Sequence, residues 1–444
     1  MFSYKQALDY LNSLINYEKK PDFVYNKRLF NLERTKLICQ KLGNPHLLIK
    51  TIHVAGTKGK GSTSAMVTSI LDAAGYRVGL YTSPHLISPR ERIRIGNSLI
   101  TEEEFSYFIF KVKKAVETIK NEKGFLNPTF FEVYTAAAFS YFYHKKVDIA
   151  VIEVGLGGRL DATNVILPLV GIITPISIDH TQQLGKDILS IAREKAGIIK
   201  PNCKIIISCQ KEEVKSLLCQ TCQEKKAKFY LVGEDIKFKL LEETPVYQRF
   251  DIETPAENYS SLLLSLPGEH QLQNAACAIG AVELLKEHGF KIKSEHIRKG
   301  LENIKWPGRL QVIAKDPLII VDCAHNEASA LTVANFLRKF YSDKKIVIVL
   351  AVLKNKDVEG IGRALAPVEG KIIITSVKSP RALSPEEIYA KIKRYLKEEA
   401  LLEKNSEKAL KKAKEIAGKD GVICITGSVY LVGEVLQISG KSFI

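Results

Sequence analysis

No apolar run in this sequence approaches the ~20 residues that a bilayer-crossing helix needs. The N-terminus, Met1-Phe2-Ser3-Tyr4-Lys5, opens an amphipathic pattern and lacks the apolar centre of a signal peptide. A cytoplasmic protein with no membrane partner is therefore expected. The eight cysteines show no secreted-scaffold spacing. Cys219-Gln220-Thr221-Cys222 is a CxxC, but it falls in a helix-like run from Glu212 to Lys226, and Cys203 and Cys209 flank the apolar strand Ile205 to Ile207. A zinc site would favour a second close pair or histidines, so reduced, incidental thiols are expected and zinc is not. Internal repeats and low-complexity segments are also missing.

Composition is that of a soluble globular chain, with 45% hydrophobic and 26% charged residues, and 444 residues suffice for two or three domains. The net charge of +16 raises nucleic acid as a partner. The lysines are dispersed, however, as at Lys111, Lys113 and Lys114 or Lys404, Lys408, Lys411, Lys412 and Lys414. Solvated helix faces account for them, and an anionic small substrate suits the same excess without a nucleic-acid groove.

Along the chain, a helical prelude of about fifty residues precedes alternating strands and helices. Apolar strands are expected at Leu47 to Val54, Arg77 to Thr82, Val147 to Val154, Val170 to Thr174, Ile205 to Ser208 and Lys228 to Val232. Helices are expected at Thr101 to Lys120, where Thr101 and Glu104 form a capping box, and at Pro128 to Tyr143, Ile188 to Ala196 and Gln271 to His288. Residues Lys237 to Leu266 read as hairpin strands. Turn residues at Ile304-Lys305-Trp306-Pro307-Gly308-Arg309 mark a boundary, and a second alternation follows. Its strands are Leu318 to Asp322, Lys345 to Leu353, Lys371 to Val377 and Val422 to Thr426. The fold class is α/β with a mostly parallel sheet, divided into domains at 1–304 and 305–444. No GxGxxG follows the first strand of the second part, so NAD is not expected; nor is haem.

The most informative stretch is Ile52-His53-Val54-Ala55-Gly56-Thr57-Lys58-Gly59-Lys60-Gly61-Ser62-Thr63. Strand, glycine loop and helix form the context of a phosphate cradle. Loop amides and a helix N-terminus attract an anion, and Lys60 with a metal on the Ser62 hydroxyl would neutralise a triphosphate. The spacing departs from GxxxxGK[ST], since Val54 stands at the first glycine and Gly61 separates Lys60 from Ser62.

Ligands of open α/β sheets sit beyond the carboxyl ends of strands. Ser83 and Glu153 end two apolar strands, and Asp179-His180 follow a third. A carboxylate at Glu153 needs either a metal or Arg159 as partner. If the strands adjoin, Ser62, Ser83, Glu153 and His180 converge on one phosphate site, and their oxygens suit Mg²⁺.

Other motifs accompany these: Tyr81-Thr82-Ser83-Pro84-His85-Leu86, Glu91-Arg92-Ile93, Phe131-Glu132 and Glu153-Val154-Gly155-Leu156-Gly157-Gly158-Arg159-Leu160-Asp161-Ala162-Thr163-Asn164. Further on come Asp179-His180-Thr181, Glu194-Lys195-Ala196-Gly197-Ile198, Gly268-Glu269-His270-Gln271 with Asn274, Trp306-Pro307-Gly308-Arg309, Asp322-Cys323-Ala324-His325-Asn326 and Gly427-Ser428. Together they resemble the folylpolyglutamate synthase/dihydrofolate synthase family, a branch of the Mur ligases. The resemblance spans positions 53 to 428. It departs at Lys58, where asparagine is usual, and at Cys323, where glycine is usual.

The resemblance implies a P-loop-containing, Mur-ligase central-type domain followed by a Rossmann-like glutamate ligase domain. It implies an ATP-dependent acid–amino-acid ligase that activates a folate or dihydropteroate carboxylate as an acyl phosphate and joins it to L-glutamate. ATP contacts carry over to Gly56, Thr57, Lys58, Gly59, Lys60, Gly61, Ser62, Asn274, Arg309, Asp322 and His325. Two Mg²⁺ sites carry over to Ser62, Ser83, Glu153, His180 and Lys195, the last as a carbamylated lysine. From sequence alone Lys195 reads first as a helix-surface lysine paired with Glu194, and only the resemblance turns that reading toward the carbamate. Lys60, His180 and Lys195 are the implied catalytic groups. Phe131, Asp161 and Ala162 match the pterin-holding region, and Ser428 the glutamate site. A monomer is expected, because a two-domain cleft needs no partner. The alternatives are a peptidoglycan Mur ligase, for which about fifty residues before Gly56 leave too little room, and a P-loop NTPase acting on nucleic acid or in regulation.

Overall fold

Buried, β-branched residues explain the central strand β1 (Thr51–Ala55), in which every side chain is buried. In the computed structural model, which describes residues 2–18, 23, 25–26, 29–120 and 127–440, β1 lies inside an eight-stranded sheet. Its other strands are β2 (Val78–Tyr81), β3 (Ile93–Ile95), β4 (Ser98–Leu99), β5 (Ile149–Glu153), β6 (Val170–Ile173), β7 (Lys204–Ile207) and β8 (Lys228–Leu231). The order is β4-β3-β2-β5-β1-β6-β7-β8. All neighbours from β2 to β8 are parallel, and β3 and β4 add an antiparallel edge.

A three-stranded antiparallel sheet follows, β9 (Lys237–Glu243), β10 (Gln248–Glu253) and β11 (Asn258–Leu264), matching the expected hairpins. Between it and the large sheet lie the helices Lys60–Ala73 and His270–Lys286, both lined with small and aliphatic residues that share one core. The third sheet has six strands: β12 (Gln311–Lys315), β13 (Leu318–Val321), β14 (Ile346–Leu350), β15 (Gly370–Ile374), β16 (Leu401–Leu402) and β17 (Val422–Thr426). Its order is β12-β13-β17-β14-β15-β16, with only β12 antiparallel and a core on each face.

Four differences from the sequence reading stand out. Leu47 and Leu48 belong to a short helix, Pro45–Leu48, because Pro45 suits the first helical position. The helix after the glycine loop, which the sequence reads as starting at Ser62, starts at Lys60, where Gly59 adopts φ +80°. Strand β12 is an unforeseen edge strand with only Ile313 buried. The helix Ser294–Glu302 was also unforeseen, and it docks so closely that a Cβ on Gly300 would lie 2.5 Å from Ile70 Cα.

Candidate active site

The sheet order sets the site. Ser83 follows β2, Glu153 ends β5, the glycine loop follows β1, and Asp179-His180 follow β6, so four adjacent strand ends deliver them in one row. Gly56 has no room for a side chain, since a Cβ would fall 1.8 Å from Thr174 Oγ1. At Gly59 the obstacle would be Asn274 Oδ1 at 2.1 Å, so Asn274 rests directly on the loop. Its Nδ2 donates to Gln271 Oε1 at 2.8 Å. The amides of Thr57 and Lys58 both donate to Pro175 O, at 3.0 and 3.2 Å. The donors aimed at an anion are therefore those of the first helical turn, Lys60 to Ser62, which have no intrahelical acceptor.

Glu153 is buried and accepts the Ser83 amide at 3.1 Å. Burial raises its pKa, opposed by the charge of Lys60 and by the Ser83 amide, with Arg309 further off. Arg159 does not serve it. That guanidinium turns to Glu194, with Nε and Nη2 at 3.1 and 2.7 Å from Oε1. The same ion pair removes the alternative reading of Lys195. With Glu194 engaged, Lys195 is not a surface partner but is 5% exposed, and its Nζ donates to Gly56 O at 2.7 Å. Burial, then the charge of Lys60, lowers its pKa to about 7.

His180 adopts φ 52° and opens the short helix Thr181–Leu184. Burial lowers its pKa, with Asp179 opposing and Lys356, Lys195 and Lys60 adding to the fall. Asp179 is the residue whose importance the sequence understates. Its carboxylate takes Lys356 Nζ at 3.1 Å and Asn326 Nδ2 at 3.4 Å, with His325 Nε2 at 3.9 Å. Lys356 and Asn326 follow strands of the third sheet, so Asp179 clasps the two parallel sheets together. Against burial, Lys356, His180 and His325 hold its carboxyl well below the usual carboxylate range. Lys356 follows an apolar strand, the same signal that marked Glu153 and His180.

From the third sheet come Arg309, Asp322 and His325. Asp322 is buried and already accepts the amides of Leu310 (2.9 Å) and Ala324 (2.8 Å), so its carboxylate shapes the turn on which Arg309 and His325 stand. Arg309 is near both Asp322 and Glu153, and it donates to Gly308 O at 2.9 Å. His325 Nδ1 is 2.9 Å from Cys323 O, which orients the ring. Cys323 itself accommodates its Cβ without a positive φ, and its Sγ packs on Gly308. Lys58 and His270 adjoin, each with its pKa lowered by burial.

Phe131 lies over Gly155, where a Cβ would meet its ring at 2.5 Å. Asp161 is buried, with Oδ2 accepting from Leu156 N and Oδ1 from Thr163 N. It therefore builds the loop that carries Ala162. Ser428 is buried and caps the helix Val429–Ile438 through Tyr430 N.

Residues 54–282 match the Mur ligase middle domain and residues 308–429 the Mur ligase glutamate ligase domain. The chain is 34% identical to the dihydrofolate synthase/folylpolyglutamate synthase of Bacillus subtilis, with 98% of each chain covered. It is 32% identical to the folylpolyglutamate synthase of Lacticaseibacillus casei, with 99% of this chain and 100% of that one covered. Its fold is similar to that of Mycobacterium tuberculosis folylpolyglutamate synthase complexed with ADP, with a TM-score of 0.89, 34% identity and 99% of both chains covered. A row of polar strand ends, a third sheet clasped over it and these near full-length matches place the chain in the folylpolyglutamate synthase/dihydrofolate synthase family of the Mur ligases.

Proposed function

We propose that this site joins L-glutamate to folate carboxylates at the expense of ATP, and accepts dihydropteroate as well. The single observation that carries the reading is the setting of Lys195: buried, with its Nζ on Gly56 O and its pKa near 7, it brings a partly neutral amine to the phosphate loop. An unprotonated amine is what carbamylation by CO₂ requires, and the resulting anion would suit a metal site that an ammonium would repel.

The acceptor carboxylate attacks the γ-phosphate of ATP, the bond to the β,γ-bridging oxygen breaks, and an acyl phosphate and ADP result. Two anions must meet, so cationic neutralisation dominates the barrier. Lys60 and the first-turn amides supply it from the loop side, Arg309 and the clasped third sheet from the other. The amine of glutamate then displaces phosphate. Phe131 and the loop of Asp161 and Ala162 hold the acceptor, and Ser428 helps place glutamate. Residues 1–304 would form the ATP-binding domain and 305–444 the glutamate-binding one, with cleft closure completing the site.

The donors fit Mg²⁺. Among the described residues no three of His, Cys, Asp or Glu are grouped as metal ligands, whereas Ser83 with Glu153 offers the one hydroxyl and one carboxylate that a hard cation supplements with phosphate and water. Ser62, His180 and the carbamate of Lys195 would complete the two sites. Bound there, Mg²⁺ supplies charge neutralisation of the triphosphate. A monomer in the cytoplasm is the simplest assembly, since one chain provides every group named, and no helix among the described residues is long and apolar enough to cross a membrane.

The test is ADP release from purified protein with ATP, Mg²⁺ and glutamate, supplying dihydropteroate and tetrahydrofolate separately. Release with either acceptor supports ligation and tells the acceptors apart; failure with both sinks it. The reading as a nucleic-acid-dependent or regulatory NTPase finds no support among the relatives.

A further inference from the structure

His53 stands in the middle of β1, fully buried and outside every role given above. Ile52 and Val54 belong to the core shared with the helix Lys60–Ala73, so the two-residue period of a strand turns His53 to the opposite face. There its Nε2 lies 2.8 Å from Thr163 Oγ1, and Thr163 Oγ1 lies 2.5 Å from Asp161 Oδ1. The same carboxylate receives the amides of Thr163 at 3.0 Å and Leu156 at 2.9 Å.

The polarity of this chain follows from counting hydrogens. A hydroxyl has one. With Asp161 acting as acceptor toward two amides, the Thr163 hydrogen goes to Oδ1, and only lone pairs remain for His53. Nε2 must then carry the ring hydrogen, which leaves Nδ1 bare; Nδ1 is buried and meets no hydrogen-bond partner among the described residues. The reverse polarity would put a proton on Asp161 and the ring hydrogen on Nδ1, burying a donor that has no acceptor. A buried orphan N–H is the rarer and costlier outcome. Burial, then the charge of Lys200, lowers the His53 pKa to about 3, so the ring stays neutral.

We propose that His53, as the neutral Nε2–H tautomer, is a positioning residue for the acceptor substrate: through Thr163 it orients Asp161, which holds the loop from Leu156 to Ala162. This rests on the reading of Phe131, Asp161 and Ala162 as acceptor-binding. An aliphatic side chain at this position would leave the Thr163 oxygen without a donor, and a lysine or arginine would place a charge inside the sheet. The strand that holds His53 ends at Ala55 and runs directly into Gly56, so one rigid element sets the acceptor loop against the glycine loop.

Two experiments test this. Long-range ¹H–¹⁵N spectra of the histidine rings, with His53 assigned by its loss in His53→Gln, should show hydrogen on Nε2 and none on Nδ1. In steady-state assays, His53→Gln retains a donor at similar reach and should keep the acceptor KM within about threefold. His53→Asn, which is too short, and Thr163→Val should each raise it about tenfold, the loss of one buried hydrogen bond. The ATP KM should stay constant, and the Asn and Val changes together should be no worse than either alone. A ring hydrogen on Nδ1, equal behaviour of the Gln and Asn variants, or a parallel rise in ATP KM would overturn the proposal. An unchanged acceptor KM in Phe131→Ala would overturn the acceptor reading instead, and the positioning role with it, while the ring spectrum decides the tautomer independently.

Discussion

Lys195 Nζ donates to the carbonyl of Gly56 across 2.7 Å, joining the end of the helix Ile188–Ala196 to the first residue of the phosphate loop. The neighbouring carboxylate, Glu194, is paired with Arg159. Lys195→Ala should lower ligase turnover by about 100-fold or more, the scale of losing one preorganised charged group. Full activity in that variant would remove both the carbamate and the proposed role of Lys195.

Proton linkage at Lys195 gives a second expectation. Its folded pKa of about 7 lies below the ordinary lysine value, so above pH ~7 the unfolded chain binds more protons than the folded one and stability rises with pH. The gain from this group should run from about pH 7 until the unfolded lysine itself titrates near pH ~10. Lys195→Met should flatten that slope. Urea denaturation of both proteins at several pH values measures it, and equal slopes would exclude a depressed lysine here.

The clasp at Asp179 can be broken from either side. Asp179→Asn should cost about 2–4 kcal/mol of interaction with Lys356, both side chains being largely buried. Lys356→Met should have a similar effect on kcat/KM, and the double variant little more than one of them. Additive losses would mean that the ion pair is not the working unit.

At Gly300 the expectation concerns stability alone. A Cβ there would press on the Ile70 backbone, so Gly300→Ala should destabilise the fold by about 1–3 kcal/mol through overpacking. Thermal unfolding would show it, and activity per folded molecule should be retained.

Cys323 offers the converse. Its Sγ fills the space over Gly308, so Cys323→Gly should lose about 1 kcal/mol of packing while leaving the ATP KM within about threefold. A large change in ATP KM would mean that the sulfur acts on the nucleotide, directly or through Arg309, which its side chain meets.

Much of this architecture was legible beforehand. Strands β1, β5 and β6 are buried on both faces and read as continuous apolar runs. Glu153 and His180 were legible as polar interruptions at the ends of such runs. Strand β12 was not, because an edge strand with one buried residue has no such run, and the helix Ser294–Glu302 buries only Ile297, Gly300 and Leu301. Lys356 and Asn326 escaped for another reason. Their partner Asp179 lies in a different sheet, and no local pattern encodes how two sheets meet. The engagement of Asp161 and Asp322 by backbone amides was equally hidden, since it depends on the path of each turn.

The segment from Thr174 to Asp179 is tied at both ends. Pro175 O receives the amides of Thr57 and Lys58, and the backbone of Ser177 exchanges hydrogen bonds with the Thr57 hydroxyl. Two residues later Asp179 grips Lys356 and Asn326. These six residues thus act as a short tether between the glycine loop and the third sheet. Thermodynamic reciprocity then applies. Nucleotide bound at the proposed site would, by fixing the loop, favour the arrangement of the third sheet seen here, and that arrangement would tighten the hold on nucleotide by the same amount.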